Sequence, residues 1–301
     1  MRLVIAGGTG FIGSALCARL MELGHSLTLL SRTRSPGPIL SNKDWITWQP
    51  GSPGPWEEAI DGVDGVINLA GEPIAKRWTE SQKEKILASR VDSTRDLVTA
   101  IGKAKKKPKF LLNSSAIGYY GPRGDEPITE DAGPGSDFLS RVCVVWEEEA
   151  KRAEAFGVRV ILLRTGVVLG RGGGALVKMV PPFKLFIGGP LGTGTQWMSW
   201  IQMEDEIGLM VHLIQNSEVT GPINATAPGQ VTMKEFCQTL GRVLRRPSWA
   251  PVPSFALRML IGEMADMLLT GQRVLPGKAQ DSGYAFKYPN LLEALKVSLA
   301  R

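Results

Sequence analysis

The string Ser114-Ser-Ala-Ile-Gly-Tyr-Tyr-Gly121 places three hydroxyls, Ser115, Tyr119 and Tyr120, at the end of an apolar run. A serine and a phenol can both donate to an oxygen on which negative charge develops, so this string is the leading candidate for general acid chemistry. It also reads as a Tyr-Tyr-Gly turn that packs its rings against a neighbouring lobe. Glu72, just after Ala70-Gly71, can either act in that chemistry or cap a turn and hold Arg77. Glu130 and Asp131 read as loop acids. Three cysteines and two histidines lie scattered without paired spacing, so neither a disulfide framework nor a metal site is expected.

A second constellation concerns a ligand. Arg2-Leu-Val-Ile-Ala6 leads into Gly7-Gly-Thr-Gly-Phe-Ile-Gly13 and then into an amphipathic run from Ser14 to Leu23. A strand, a glycine turn and a helix in that order form a dinucleotide cradle: Gly7 permits the turn, Gly10 lets the backbone approach a pyrophosphate, and Gly13 lets helix and strand lie close. The next strand, His25 to Leu30, ends at Ser31-Arg32-Thr33-Arg34. An acid at that place would hold the ribose of NAD. Ser31 and Arg32 instead suit the extra phosphate of NADP, which a guanidinium meets bidentately, so NADP(H) is the expected cofactor.

These groups need a scaffold, and the pattern supplies one. Beyond the first two strands, Trp45 to Trp48, Gly65 to Gly71, Phe110 to Ser115 and Val158 to Arg164 read as strands. Thr79 to Gly102 and about Phe138 to Phe156 read as helices, and Ser35 to Pro55 is mostly loop. Alternation of this kind makes an α/β fold with a doubly wound parallel sheet. After Arg164 the rhythm changes. Gly170-Arg-Gly-Gly-Gly174 reads as a mobile connector, and Ala175 to Ile187 is an apolar segment broken at Pro181-Pro182. A strand from Trp197 to Gln202, a helix from Glu204 to Asn216 and a strand from Pro222 to Ala225 follow. Helices at Met233 to Leu244, Ser254 to Leu269 and Asn290 to Leu299 complete the chain. The expected division is a dinucleotide-binding domain at 1–165 plus about 197–225, with a smaller, mainly helical C-terminal lobe at about 166–196 plus 226–301 that binds substrate.

The chain has 301 residues, 43% of them hydrophobic, which is an ordinary globular composition. The first strand begins at residue 2 and no apolar run approaches the ~20 residues of a membrane span, so the expectation is a cytoplasmic protein with no membrane partner. The net charge of +6 fits an anionic cofactor. Its densest patch, Lys103 to Lys109, reads as a solvated helix end, and no nucleic acid is expected.

Several strings resemble a known family. The early glycines, Asn68-Leu-Ala-Gly71, Ser114 to Gly121, and Trp200-Ile-Gln-Met-Glu-Asp205 before Gly221-Pro-Ile-Asn224 are similar to the extended short-chain dehydrogenase/reductases, the NAD-dependent epimerase/dehydratase family. Gly71-Glu-Pro-Ile74, Arg77-Trp-Thr79, Ser89-Arg90, Asp137-Phe-Leu139, Trp146-Glu147 and Arg164-Thr-Gly-Val-Val-Leu-Gly170 resemble its atypical branch of NADP-dependent oxidoreductases, some members of which are labelled cell-division inhibitor-like. The resemblance implies a Rossmann fold. It also implies cofactor contacts from Gly7, Thr9, Gly10, Phe11, Ile12, Gly13, Ser31, Arg32, Leu69, Ala70, Gly71, Arg90, Ser114 and Val168. The family's proton donor is a Tyr-x-x-x-Lys assisted by a Ser. Those positions fall here on Leu139, Cys143 and Ala116, and a leucine transfers no proton. Two functions stay open. One is an NADP(H)-dependent oxidoreductase acting on a small carbonyl, alcohol or sugar-like molecule, with its acid moved to Tyr119, Tyr120 or Ser115. The other is a weak or inactive NADP(H)-binding sensor or scaffold with a protein partner.

Overall fold

The structure, a computed structural model, describes residues 1–32 and 45–300. In chain order its elements are β1 (Arg2–Ala6), α1 (Phe11–Glu22), β2 (Ser26–Ser31), β3 (Trp45–Thr47), β4 (Gly65–Asn68), α2 (Glu80–Lys103), β5 (Phe110–Ala116), β6 (Pro127–Ile128) and α3 (Phe138–Lys151). Then come β7 (Arg159–Thr165), β8 (Val167–Leu169), α4 (Leu176–Lys184), β9 (Trp197–Met198), β10 (Trp200–Gln202), α5 (Met203–Gln215) and β11 (Gly221–Ala225). The chain ends with β12 (Val231–Thr232), α6 (Met233–Leu244), α7 (Ser254–Ile261), α8 (Met264–Leu269), β13 (Arg273–Val274), α9 (Gly277–Asp281) and α10 (Leu291–Leu299).

Seven strands form one parallel sheet in the order β11-β7-β5-β4-β1-β2-β3. Its central strands are apolar on both faces, as a sheet covered by helices on each side requires. One face, with Leu3, Ile5 and Leu112, packs against α1 and α5 through Leu16, Leu20, Met210 and Leu213. The other, with Val4, Val66 and Leu111, packs under α2 and the end of α3 through Leu97, Ile101 and Ala150. A third core, holding Trp200, Phe236, Leu240 and Leu295, gathers α4, α6 and α10.

Four expectations need correction. Ser254 to Leu269 is two helices, because Gly262 adopts φ +63° and ends the first. Trp197 to Gln202 is two short strands with different partners, β9 on β12 and β10 on β8. Ser199 marks the switch, its hydroxyl donating to Gln272 O and accepting from Val274 N. Pro181 and Pro182 lie inside α4 rather than breaking it. The carbonyls that lose donors there belong to the exposed Val177 and Lys178, while Leu185 N–H still bonds Pro181 O. Finally, the Gly170–Gly174 segment packs tightly on α1: a Cβ on Gly173 would lie 2.2 Å from the Phe11 ring and one on Gly174 2.9 Å from it. Most of the expected loop at 35–55, and Arg34 with it, lies outside the described residues.

The lysine run caps the end of α2. Lys107 Nζ donates to the carbonyls of Gly102 and Ala104, and Lys103 and Lys109 pair with Glu57 and Asp64. Among the described residues, no helix is long and apolar enough to cross a membrane.

Candidate cofactor cradle and active site

The turn after β1 is built by close approach. Gly7 has φ +77°, and a Cβ there would meet the Leu69 carbonyl carbon at 2.6 Å; one on Gly13 would lie 2.2 Å from Gly7 O. Both clashes are with backbone, so β1, α1 and the Leu69-Ala70 segment meet only because these residues are glycine. Helix α2 is capped by Thr79, α3 by Asp137, α5 by Gln202 and α6 by Thr232, whereas α1 begins at Gly10 with no side-chain cap and no acid in its first turn. The N–H groups of Phe11, Ile12 and Gly13 precede the first intrahelical bond, Ser14 N–H to Gly10 O. A helix start with free N–H groups and no carboxylate suits an anion. The residues present therefore fit the pyrophosphate of a dinucleotide.

The rest of the expected cradle surrounds this point. Asn68 on β4 donates from Nδ2 to Thr94 Oγ1 (2.9 Å) and to Asn113 Oδ1 (2.8 Å), and its side-chain Oδ1 accepts from Ala70 N–H (3.1 Å). Trp146 Nε1 closes the ladder on Thr94. This buried set fixes Leu69 and Ala70 on one side of the crevice and Ser114, whose carbonyl accepts from Asn113, on the other. Arg90 on α2 donates to Glu72 O and Ile86 O and lies 5.1 Å over the Trp146 ring. A Cβ on Gly71 would reach its guanidinium at 3.1 Å. Burial lowers the Arg90 pKa, with Cys143 and Glu72 acting in the opposite sense. Ser31 and Arg32 end β2. Arg32 is exposed, and after Lys76 its charge is among the influences holding the Glu72 carboxyl below its usual value. Val168 sits on β8, paired with Ile201.

At the reacting end the structure departs from expectation. Ser115 is buried and donates to Glu147 Oε1 at 2.6 Å. Glu147 is itself gripped by Arg164 through two parallel bonds of 2.8 Å, both residues being almost wholly buried. Tyr120 is fully buried; its hydroxyl donates to Asn224 Oδ1 (2.6 Å) and accepts from Arg164 Nη1 (2.9 Å), and burial pushes its pKa up to about 12. Tyr119 is half-buried, packed with Ile128 and Val274, and carries the Arg164 guanidinium 3.5 Å over its ring. Burial opposes the Arg164 charge, but Glu147 and Tyr120 together hold it above the usual guanidinium value. Glu130 is also buried, a state that raises its pKa, and takes the N–H groups of Asn224 and Lys278. The hydroxyls of Ser115 and Tyr120 are thus engaged in holding the fold, because a buried polar group left unpaired would cost ~1–3 kcal/mol.

Leu139 and Cys143, on the first turns of α3, face Gly118: a Cβ there would be 3.4 Å from Leu139 Cβ and 4.0 Å from Cys143 Sγ. Burial, reinforced by Glu147, pushes the Cys143 thiol up to about 12. Sequence reasoning missed the Glu147–Arg164 pair. The signal was Arg164 itself, a charge closing an otherwise apolar strand. It also missed Glu206 on α5, 1% exposed, which has one bond, from Thr165 Oγ1 at 2.9 Å, and one oxygen without a partner.

A parallel sheet with a glycine turn at the carboxyl edge of its first strand, closed against the neighbouring strand's end, is the site of a Rossmann-type dinucleotide-binding protein. The chain belongs to the NAD dependent epimerase/dehydratase family, whose model matches residues 3–225; residues 252–297 match a domain of unknown function, DUF1731. It is 42% identical to the Epimerase family protein YfhF of Bacillus subtilis over 100% of this chain and 98% of that protein. It is also 42% identical to the chloroplastic Epimerase family protein SDR39U1 homolog of Arabidopsis thaliana, over 98% of this chain and 86% of that protein. Human epimerase family protein SDR39U1, crystallised with NADPH, superposes with a TM-score of 0.88 at 37% identity, covering 99% of both chains.

Proposed function

We propose that the chain is an NADP(H)-dependent oxidoreductase whose cofactor cradle is complete and whose proton relay is not the family's usual one. The uncapped start of α1, closed against Leu69-Ala70 by Gly7 and Gly13, carries this reading. Phe11, Ile12 and Gly13 hold the pyrophosphate through their N–H groups, Arg32 and Ser31 hold the 2′-phosphate, and Leu69, Ala70, Gly71, Arg90, Ser114 and Val168 shape the nicotinamide side. The human relative crystallised with NADPH supports the same cofactor. The cofactor, when bound, supplies or accepts a hydride. The chain's own residues orient it, exclude water with Leu139 and Leu69, and present a small-molecule substrate to it from the C-terminal lobe. Three cysteines, all buried and unpaired, fit work in a reducing compartment such as the cytoplasm. The test is a fluorescence titration with NADPH and NADH followed by a substrate panel read as loss of reduced cofactor. Tighter binding of NADPH and turnover of at least one substrate are expected.

A second reading is favoured by the engagement of Ser115, Tyr120 and Cys143 in internal contacts. It is an NADP(H)-binding sensor that changes its hold on a protein partner. Binding without any turnover in that panel would select it.

A further inference from the structure

Two stretches of the chain carry no acidic residue at all: Ala155 to Met203 and Phe236 to Gly262. They meet beyond the ends of α4 and α6, where Trp249 N–H and Ala250 N–H donate to Gly188 O and Val252 N–H donates to Pro190 O. At this junction Lys184, Leu185, Phe186 and Ile187 follow the buried Phe183 as four exposed residues in a row, the three apolar ones at 54–69%. Trp249, 67% exposed, joins them through a 2.9 Å bond from its Nε1 to Phe186 O. Arg246 lies 4.6 Å over the Phe186 ring. Phe186 has φ +63° and Arg245, at the end of α6, φ +54°; among the described residues these are the two non-glycine residues in the left-handed region. Gly or Asn would hold that backbone with less strain, so a phenyl ring kept there and left in water answers to something outside the molecule.

This tip is built to leave water. The N–H groups of Leu185, Phe186 and Ile187 bond the carbonyls of Pro181, Phe183 and Pro182, and the Trp249 indole N–H is taken by Phe186 O, so none of these donors loses a partner in an apolar medium. Lys184 and Arg246 flank the tip, and Arg242 and Arg245 stand at the end of α6; all four are exposed, and none forms an ion pair among the described residues. Helix α7 also exposes Phe255, Met259 and Leu260, but there Arg258 is paired with Asp266 and Glu263 with Lys83, so its cations are balanced.

We infer that the tip docks on an anionic membrane surface: Leu185, Phe186, Ile187 and Trp249 enter the boundary between headgroups and acyl chains, while Lys184, Arg242, Arg245 and Arg246 face the lipid phosphates. A second copy is a poor occupant, because a two-fold contact would bring the four unpaired cations of each chain against those of the other. The lack of a spanning run, on which the expectation of no membrane partner rests, excludes crossing a bilayer but not resting on one.

The experiment sediments the full chain with vesicles of phosphatidylcholine alone and of phosphatidylcholine mixed with phosphatidylglycerol, at low and at physiological ionic strength. Binding should be confined to the anionic vesicles and weaken with salt. Phe186→Asn removes the ring while suiting the left-handed backbone, so it should hold or raise Tm and yet weaken vesicle binding by about tenfold or more. Arg245→Gly combined with Arg246→Gln should weaken it about twentyfold, at about fivefold per charge. Equal binding to neutral and anionic vesicles, no binding to either, or binding unchanged in Phe186→Asn would overturn the docking. So would a dimer seen by sedimentation velocity without lipid and dissolved by Phe186→Asn, which assigns the tip to a second copy. Binding to soluble polyglutamate as tight as to the anionic vesicles would overturn it in favour of an acidic protein.

Discussion

Two regions of one sheet, at the ends of β1 and β5 with β4 between them, treat their hydrogen-bonding groups in opposite ways. At the start of α1, N–H groups are left without a side-chain cap, the first turn carries no acid, and glycines let the neighbouring backbone lie close. At the end of β5 and along α3, the hydroxyls of Ser115 and Tyr120, the carboxylate of Glu147 and the guanidinium of Arg164 are engaged with one another. The first region is finished only by a ligand; the second is finished by the protein.

Substitutions separate the two regions by what they damage. The largest effect belongs to the closed region. Glu147→Ala strands the Arg164 charge in the core and should cost ~3–5 kcal/mol in chemical denaturation, with Glu147→Gln costing less. A loss below ~1 kcal/mol would show that solvent reaches the pair and that the region is open after all.

Glu206 gives the next effect. Burial raises its pKa from the ordinary carboxylate value to about 8, so the folded chain holds a proton there that the unfolded chain has released. Because the native state binds the extra proton, stability is greatest below the unfolded pKa of 4.5, falls as pH rises, and levels off above about 8. The contribution to the slope is at most ~1.4 kcal/mol per pH unit. Glu206→Gln should flatten that part of the Tm profile and raise Tm at alkaline pH. A profile unchanged by the substitution would mean that the carboxyl is ionised and solvated in the folded protein.

In the open region, Arg32→Ala should weaken NADPH by tenfold or more, which corresponds to ~1.5–3 kcal/mol, and leave NADH affinity and apo stability as they were. Equal weakening of both cofactors would remove Arg32 from the 2′-phosphate. The smallest effect is Tyr120→Phe, which leaves Asn224 Oδ1 without its donor and should lower stability by ~1–2 kcal/mol while cofactor affinity holds. If it instead abolished a measured activity at unchanged stability, Tyr120 would be the acid and the contrast between the regions would fail.

The open region was legible in the sequence because its requirements are local. Gly7, Gly10 and Gly13 follow one strand and precede one helix, and the NADP(H) expected from Ser31 and Arg32 agrees with the NADPH bound by the human relative. The alternation of strands and helices gave the doubly wound sheet for the same reason, each element announcing its own period. The closed region was not legible. Ser115 meets Glu147 across 32 positions, and Tyr120 meets Asn224 across 104. Nothing in Ser114 to Gly121 distinguishes a hydroxyl offered to substrate from one consumed by a glutamate on another element. Pro181-Pro182 misled because the cost of a proline depends on whether the orphaned carbonyls see water, which the sequence does not state. The glycines at 170–174 read as slack when they are clearance for the Phe11 ring.

The strand order has a consequence for synthesis. β7 ends at Thr165, but its outer neighbour β11 begins only at Gly221, after β8, α4, β9, β10 and α5 have been made. At ~5–20 residues per second, a ribosome takes several seconds to cross that interval. Throughout it the Val160-Ile-Leu-Leu163 edge of the nascent sheet has unpaired backbone groups on its outer side, the kind of edge that recruits another chain. A nascent polypeptide stalled before Gly221 carries that edge bare. One released past Ala225 has covered it, so chaperone dependence should concentrate in the window between the two.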